Sequence, residues 1–510
     1  MKVVNLMNFV RQIDERKENS TARLLEFTTK QLRFVNGYDI PNTFLLQYDA
    51  LCNPDFVSLF QNEATDKTEL GLWYEIVEPL TTACGMPYRS EVGWKWDWHI
   101  IPGFSMAYAP RERERLIDEA MRKFREVFGA YPRTVASWLI DTHTVNYLAE
   151  HYDISAIAIC RDQANTDAYT LLGGYFNQAY YPSKKNMFTP AQTQEMQNNV
   201  PMFRLLGPCP IRNYDNHKYS SEAFVKAQGE NAAYAIFTLE PCGYIGSTPE
   251  TIRWMFDTFY GGESLGFAYA QIGQENSFLD EFDQIIRGLT VQIEHLLERG
   301  DVEFRTMAET GEAFKRLFPT ETPATSVFAK DNFDTTDVQS VYYDSKNYTA
   351  NLFRFEDKLF LRSLYLFDER VEDAYLSRTC TTFDAVYENL PIVDTREGAW
   401  EDKKRTGLML DRAATPFTAS KAAEGVLEVA HGADRIRFYP DRIELTLPEI
   451  FLYAQAIKAE WTVEDGGLSL LYKGHRYRLD VAGARLDEAA DGLAIVRTGE
   501  CITLYPRPVL

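Results

Sequence analysis

The chain has 510 residues, of which 45% are hydrophobic, 25% charged and 14% aromatic. That is enough for two or three domains with sizeable cores, and it is the profile of a folded rather than a disordered or fibrous protein. A formal net charge of -21 argues against nucleic acid or an anionic membrane as a partner, because neither is drawn to so acidic a surface. No run reaches the ~18 apolar residues of a membrane span.

The opening "MKVVNLMNFVRQ" lacks a small-residue cleavage site after its apolar run, so it reads as a first strand, and a cytoplasmic protein is expected. Short apolar runs of β type then alternate with helical patterns, as in a parallel α/β fold. The strand runs are 3–10, 43–50, 70–76, 134–141, 154–162, 202–207, 233–240, 265–272 and 302–309. Stretches such as "RERERLIDEAMRKFREVF" and "FDQIIRGLTVQIEHLLERG" between them repeat apolar residues every three or four positions. Most of these strands are apolar throughout rather than alternating, which indicates burial on both faces. The list is longer than a seven- or eight-stranded barrel needs, and the surplus is expected between 163 and 262. From about 320 the pattern changes to alternation, in "SVYYDS", "YTANLFRF", "KLFLRSLYLF", "RIRFYPDRIELTL", "LSLLYKGHRYRLDV" and "CITLYP", which predicts an antiparallel β-sandwich. The join near "FPTETPATS" suits a boundary. The seven cysteines are scattered with no C-x-x-C pair, so reduced thiols are expected.

Parallel barrels carry reacting groups at the C-terminal ends of their strands. Acids dominate the run ends: Asp49, Glu75, Asp141, Asp162, Glu240, Glu275 just past its run, and Glu309. His99, His143 and Arg161 are able to join them. Converging carboxylates suit acid/base chemistry on a neutral polar substrate. Each acid alone is also compatible with capping the next helix or pairing with an arginine. The loop "GWKWDWHIIPGF" brings Trp96, Trp98 and His99 close together, while "AYTLLGGYFNQAYYPSKKN" supplies Tyr169, Asn177 and Tyr181. Trp73 lies in the third strand run. Flat rings beside amides and hydroxyls fit a sugar, whose C–H faces stack and whose hydroxyls need directional partners. The competing reading makes these rings loop-packing anchors. No H-x-x-x-H or H-E-x-x-H motif is present, and the nearest metal set is Asp141 with His143 and Asp49. No metal site is assigned, and zinc from separate strands stays open.

The order of elements resembles the polysaccharide-deacetylase-like (β/α) barrels and their relatives in glycoside hydrolase families 38 and 57. "TARLLEFTTKQLRFVNGYDIPNTFLLQYDA" is similar to their helix and second strand, "EVFGAYPRTVASWLID" to a helix, turn and fourth strand, and "HLLERGDVEFRTMAE" to the last helix and strand. The deacetylases carry an Asp pair on the first strand and a His-x-x-x-His pair after the third. Here those stretches read "NFVRQ" and "LWYEIVEP", which weakens a metal-activated water. "SWLIDTHT" resembles the α-mannosidase stretch W-x-I-D-P-F-G-H-S, whose Asp is the nucleophile, and this implies that role for Asp141. The mannosidase His-x-Asp metal motif meets only Gln47-x-Asp49. The metal-free family 57 enzymes are then the closer analogy.

The expectation is a parallel (β/α)7-type distorted barrel over 1–318 followed by an antiparallel β-sandwich over 319–510. It would be a carbohydrate-active enzyme, a glycoside hydrolase with Asp141 as nucleophile and Glu240 or Glu275 as general acid. Asp49, Glu75, Trp73, Trp96, Trp98, His99, His143, Arg161, Asp162, Tyr169, Asn177 and Tyr181 would contact an oligo- or polysaccharide. A metal-dependent deacetylase or mannosidase-like enzyme and a non-catalytic sugar binder are the alternatives, and oligomeric state stays open.

Overall fold

The structure, a computed structural model, describes residues 1–90, 92–166, 169–212, 237–331, 336–395 and 407–509. Its first part is a nearly closed parallel barrel. The central strand β1 (Lys2–Val10) is buried along almost its whole length. Its upper half, Met7–Val10, pairs with β2 (Asn42–Leu46), followed around the sheet by β3 (Thr68–Trp73), β4 (Thr134–Ala136) and β5 (Ala156–Ile159). A small sheet of β6 (Gln163–Thr166) and β7 (Tyr169–Leu172) then leaves the barrel, which continues with β8 (Met202–Arg204). On the other side of β1 lies β9 (Ala268–Ile272), and β10 (Glu303–Phe304) pairs with its lower half. All the barrel pairings are parallel. The seam between β8 and β9 is bridged by side chains: Leu206 N–H donates to Gln271 Oε1 at 2.8 Å and Asn177 Nδ2 donates to the Tyr269 carbonyl at 3.1 Å.

Helices cover the outside for the reason their sequences suggest. The helix Pro110–Phe128 begins with proline, has Glu112 accepting the Ala109 N–H at 2.8 Å, buries Leu116, Ile117, Ala120, Met121 and Phe124, and ends at Gly129 with φ 82. Gly273, at φ 117, lets the end of β9 close on β1, where a Cβ would lie 1.9 Å from the Met7 carbonyl oxygen.

Several predicted runs are shorter than expected. The 134–141 run stops being strand at Ala136, and Asp141 is instead the N-cap of the helix Thr142–His151. The 302–309 run leaves the sheet after Phe304 because Thr306 and Glu309 form a reciprocal capping box that starts the helix Met307–Leu317. Glu309 is therefore not a rim acid. Asp49 belongs to the short helix Tyr48–Leu51 rather than to β2. The first half of the 233–240 run, 233–236, lies outside the described residues. Its described end makes a single bridge, Pro208 to Thr238.

From β11 (Thr325–Lys330) onward the chain forms two large antiparallel sheets that enclose a second core, with Tyr343, Leu352, Leu361, Ile436, Phe438, Leu479 and Leu504 among its members. This sandwich-like region returns to the barrel. Residues 385–388 form a strand parallel to β7, and Phe367, Cys380, Ala385 and Tyr387 enter the barrel core. Among the described residues no two cysteines form a disulfide, and no helix is long and apolar enough to cross a membrane.

Candidate functional site

Alternation decides which side chains face the barrel interior. On β2, Phe44 meets Phe60 of an outer helix at 5.3 Å, and just beyond the strand Tyr48 reaches Glu119 at 2.6 Å. Thr43, Leu45 and Gln47 therefore face inward. On β1 the inward set includes Phe9 and, one step past the strand, Arg11. Phe9 stacks on Trp73 of β3 at 4.2 Å, and both rings meet Trp138 at 5.3 and 5.0 Å. These three rings line the interior just below the C-terminal mouth.

Above them sits a charged cluster. Arg11 Nη2 lies 2.9 Å from Glu275 Oε2 and 3.8 Å from Glu75 Oε2. Trp96 Nε1 donates to the same Glu75 oxygen at 2.8 Å, and the Trp96 ring is held between Arg11, 4.1 Å away, and Arg16, 4.7 Å away. Ser277 Oγ donates to the other Glu275 oxygen. The cluster is nearly closed to solvent, with Arg11 and Glu75 each 3% exposed, Trp96 4% and Glu275 7%. Burial raises the Glu75 carboxyl above its usual range, against the opposing pull of Arg11 and the Trp96 hydrogen bond, and the neighbouring Glu275 charge adds to the rise. Burial works against the Arg11 cation too, yet Glu275, Glu75, Asp14 and Asp49 together raise its pKa. Asp49 is pushed up to about 6 by burial, opposed by the backbone N–H groups of Gln12, Ile13 and Ala50 that its carboxylate accepts. It ties down the chain that follows β1.

The remaining predicted residues stand elsewhere. Asp141 is fully buried. Its Oδ1 accepts from Arg113 Nη1 at 2.8 Å and from Thr144 N–H at 3.0 Å, and its Oδ2 accepts from the hydroxyls of Ser105 at 2.5 Å and Thr144 at 2.6 Å. Asp162 pairs with Arg204 at 2.6 Å and accepts the Gly174 N–H at 2.9 Å. Arg161 Nη1 donates to the Asp162 carbonyl. Glu240, partly exposed, accepts from Thr238 Oγ1 at 3.1 Å, and both its charge and that of Glu275 are felt by the half-buried Cys242 thiol. His143 pairs with Glu114 on the outer helix surface. Tyr181 donates to the Phe318 carbonyl and Tyr169 packs 6.0 Å from Phe104. Trp98 is partly exposed, stacked on His99 at 5.0 Å, and His99 holds Asp97 at 2.8 Å. So the mouth unites Glu75, Glu275, Trp73 and Trp96, with Asp49 beneath the loop. Arg11 and Gln47 were passed over, although the strand-end rule applied to basic and amide residues as well as acids would have found both.

No protein-family model matches the sequence, and no curated protein matches it. Among solved structures the chain is similar to a protein of Parabacteroides distasonis described as a glycoside hydrolase/deacetylase, with 15% identity and a TM-score of 0.55 over 79% of this chain and 93% of that one. A Mycobacterium smegmatis protein described as a polysaccharide deacetylase aligns with 11% identity and a TM-score of 0.38 over 63% of this chain and 93% of that one. An alpha-amylase of Thermotoga maritima aligns with 9% identity and a TM-score of 0.31 over 61% and 75%. The fold is that of the Parabacteroides distasonis protein.

The family resemblance read in the sequence implies a divalent metal in its deacetylase members, and the mouth residues do not fit one. A guanidinium already sits against Glu75 and Glu275, no histidine joins them, and among the described residues no three His, Cys, Asp or Glu side chains converge to hold an ion.

Proposed function

We propose that the protein is a carbohydrate-active hydrolase that cleaves glycosidic bonds with Glu75 and Glu275 at the barrel mouth. The observation that carries this reading is the buried cluster in which two carboxylates share one guanidinium nitrogen beside tryptophan rings. Glycosidic cleavage needs one carboxyl group that keeps its proton and one that stays ionised. Glu75, raised by burial, serves as the proton donor. Glu275, the nearer partner of Arg11 and a hydrogen-bond acceptor from Ser277, serves as the carboxylate that meets the developing positive charge at the anomeric carbon. Arg11 positions both. Trp138 and Trp98, each partly exposed, supply rings for the sugar faces.

Because both acid oxygens touch one nitrogen, at 2.9 and 3.8 Å, they lie closer than the upper part of the about 6.5–9.5 Å range of inverting enzymes. The spacing therefore favours retention of anomeric configuration. Asp141 has a different part in this reading. Its oxygens are taken up by Arg113, Ser105 and Thr144, so it holds the wall of the barrel and does not attack substrate.

A panel of aryl glycosides tests the reading. Turnover by the wild type should fall about 10²–10⁴-fold in both Glu75→Gln and Glu275→Gln, with folding intact by circular dichroism. Equal turnover in the variants would sink the assignment. Release of acetate from acetylated sugars, with no glycoside cleaved, would favour a deacetylase instead.

A further inference from the structure

The mouth contains polar atoms that the fold does not use. Gln47 is fully buried, and neither its Oε1 nor its Nε2 has a hydrogen-bond partner. Its side chain does not cap the helix that starts at Tyr48. Its backbone N–H donates to the Val10 carbonyl at 2.9 Å, and the register Phe9 to Leu45 and Val10 to Leu46 carries on to set Gln47 beside Arg11. The pairing of Leu46 with Leu72 likewise sets it beside Trp73. Arg11 contributes a second case: its Nη2 is engaged by Glu275, while its buried Nη1 has no partner. An amide and a guanidinium edge, both facing the interior at one level, are thus left open side by side. Buried polar groups in folded proteins are almost always paired, and an exception calls for an explanation, a catalytic role among them.

We propose that Gln47 and Arg11 Nη1 form the floor of a subsite that binds adjacent hydroxyls of an uncharged pyranose ring, with the partly exposed Trp138 beside Trp73 as its ring platform. The reading rests on the hydrolase assignment above and specifies its substrate class. A hydroxyl both donates and accepts, so one can give its proton to Gln47 Oε1 while accepting from Gln47 Nε2 or Arg11 Nη1. The ring's C–H face is then free to lie on tryptophan. The charge of the surroundings selects against an acidic sugar. With Glu75 holding its proton, Glu275 and Asp49 still outnumber the Arg11 cation they share, and a uronate carboxylate brought among them would meet net repulsion.

The test compares wild type, Gln47→Leu and Glu275→Gln by calorimetry and thermal melting. The probes are the methyl glycosides of glucose, mannose, galactose and xylose, with glucuronate and galacturonate as charged controls. At least one neutral glycoside should bind wild type and raise its melting temperature, and neither uronate should. Gln47→Leu should bind that glycoside at least tenfold more weakly while melting no lower than wild type, because its amide serves no contact in the fold. Undiminished binding by Gln47→Leu overturns the subsite, and so does a variant that melts well below wild type, since the amide would then be structural. A uronate that binds as tightly as the neutral probes, or a wild type that binds none of them, overturns it as well. Gln47-dependent binding by a wild type that turns over no glycoside would leave the subsite standing and remove the hydrolase reading. Glu275→Gln, which should still bind, separates the two.

Discussion

Two of the buried arginine–carboxylate pairs at the upper end of this barrel differ in what is left over. Arg113 spends its whole guanidinium: Nε donates to the Tyr108 carbonyl, Nη1 to Asp141 and the Tyr375 carbonyl, and Nη2 to the carbonyls of Met106 and Arg378. Asp141 is equally committed. Arg11, nearly as buried, reaches Glu275 and approaches Glu75, yet leaves Nη1 without a partner. A charge cluster whose bonds close on themselves rigidifies a fold, whereas one that remains open carries a desolvation cost that calls for an explanation, which the proposed subsite supplies. The strand-end acid that looks most like a nucleophile in sequence is in the closed cluster. The pair proposed for catalysis is in the open one.

Breaking the closed cluster should have the largest effect. Removing one member of a buried ion pair strands the other charge, which costs about 3–5 kcal/mol. Here Arg113 also fastens the segment around Tyr375 and Arg378 to the barrel. Asp141→Ala should therefore lose stability of that order in urea unfolding, or fail to accumulate as soluble protein. A variant that melts like wild type but has lost all turnover would return the nucleophile role to Asp141.

The open cluster should respond in activity before stability. Arg11 lowers the proton affinity of Glu75 while burial raises it. A proton donor works while protonated, so kcat/KM should fall as pH rises through the Glu75 value. Arg11→Gln removes the opposing cation, which should move that alkaline limb to higher pH and reduce turnover about 10²-fold or more, by analogy with loss of a charge-stabilising donor. A pH profile of kcat/KM for both proteins measures the shift. An unmoved limb would mean that Glu75 is not the group that titrates.

Much of this molecule was legible in its sequence because burial leaves a pattern. β1 reads as an unbroken apolar run because it is covered on both faces, and sandwich strands such as Asp434–Tyr439 and His475–Ala482 alternate because one face is not. The strands Val338–Asp344, Tyr348–Phe355 and Lys358–Leu366 also read as alternating, yet they are buried on both faces because their second face packs against the barrel. Strand-end position also pointed to Glu75 and Glu275. What sequence did not carry is the bonding state of each acid. In the proposed reading Asp141 serves the fold, because Arg113 binds it, and Arg113 is fixed by a carbonyl 262 residues away in the chain. Nor does local pattern reveal that Gln47 goes unpaired, since that depends on what the neighbouring strands fail to offer. The return of residues 385–388 to pair with β7 is a long-range event of the same kind.

Asp344 extends the comparison to a buried acid with no ion pair at hydrogen-bonding distance. It is 1% exposed, accepts the Phe176 N–H at 3.2 Å and leaves Oδ2 without a partner. Burial pushes its carboxyl up to about 8, so it is mostly neutral in the folded protein near neutrality. The unfolded chain ionises it near the ordinary value of about 3.9. Between those two values the folded state holds a proton that the unfolded state has lost. This group's contribution to stability is therefore complete below about pH 4 and declines with rising pH, by at most about 1.4 kcal/mol per unit, until it levels off above the folded value of about 8. Asp344→Asn should remove that slope, so that the melting temperature of the variant relative to wild type climbs from about pH 5 to about pH 8. A constant difference across that range would contradict a neutral Asp344.

The smallest expected effect is none at all, and it follows from Arg11. A divalent ion at the mouth would need carboxylates free to coordinate it, and in this barrel Glu75 and Glu275 already share a fixed guanidinium. Ion and arginine would compete for the same oxygens and repel one another. Wild-type turnover should accordingly be indifferent to a strong chelator and to added zinc, cobalt or manganese, and the melting temperature should not move with any of them. Arg11→Ala opens the comparison from the other side. With the guanidinium gone, Glu75 and Glu275 become a buried pair of acids with no counter-charge, and the variant should gain a metal-dependent rise in melting temperature that the wild type lacks. A chelator that abolishes wild-type activity, restored by one of these ions, would show that Arg11 moves aside and that the mouth belongs with the metal-dependent barrels after all.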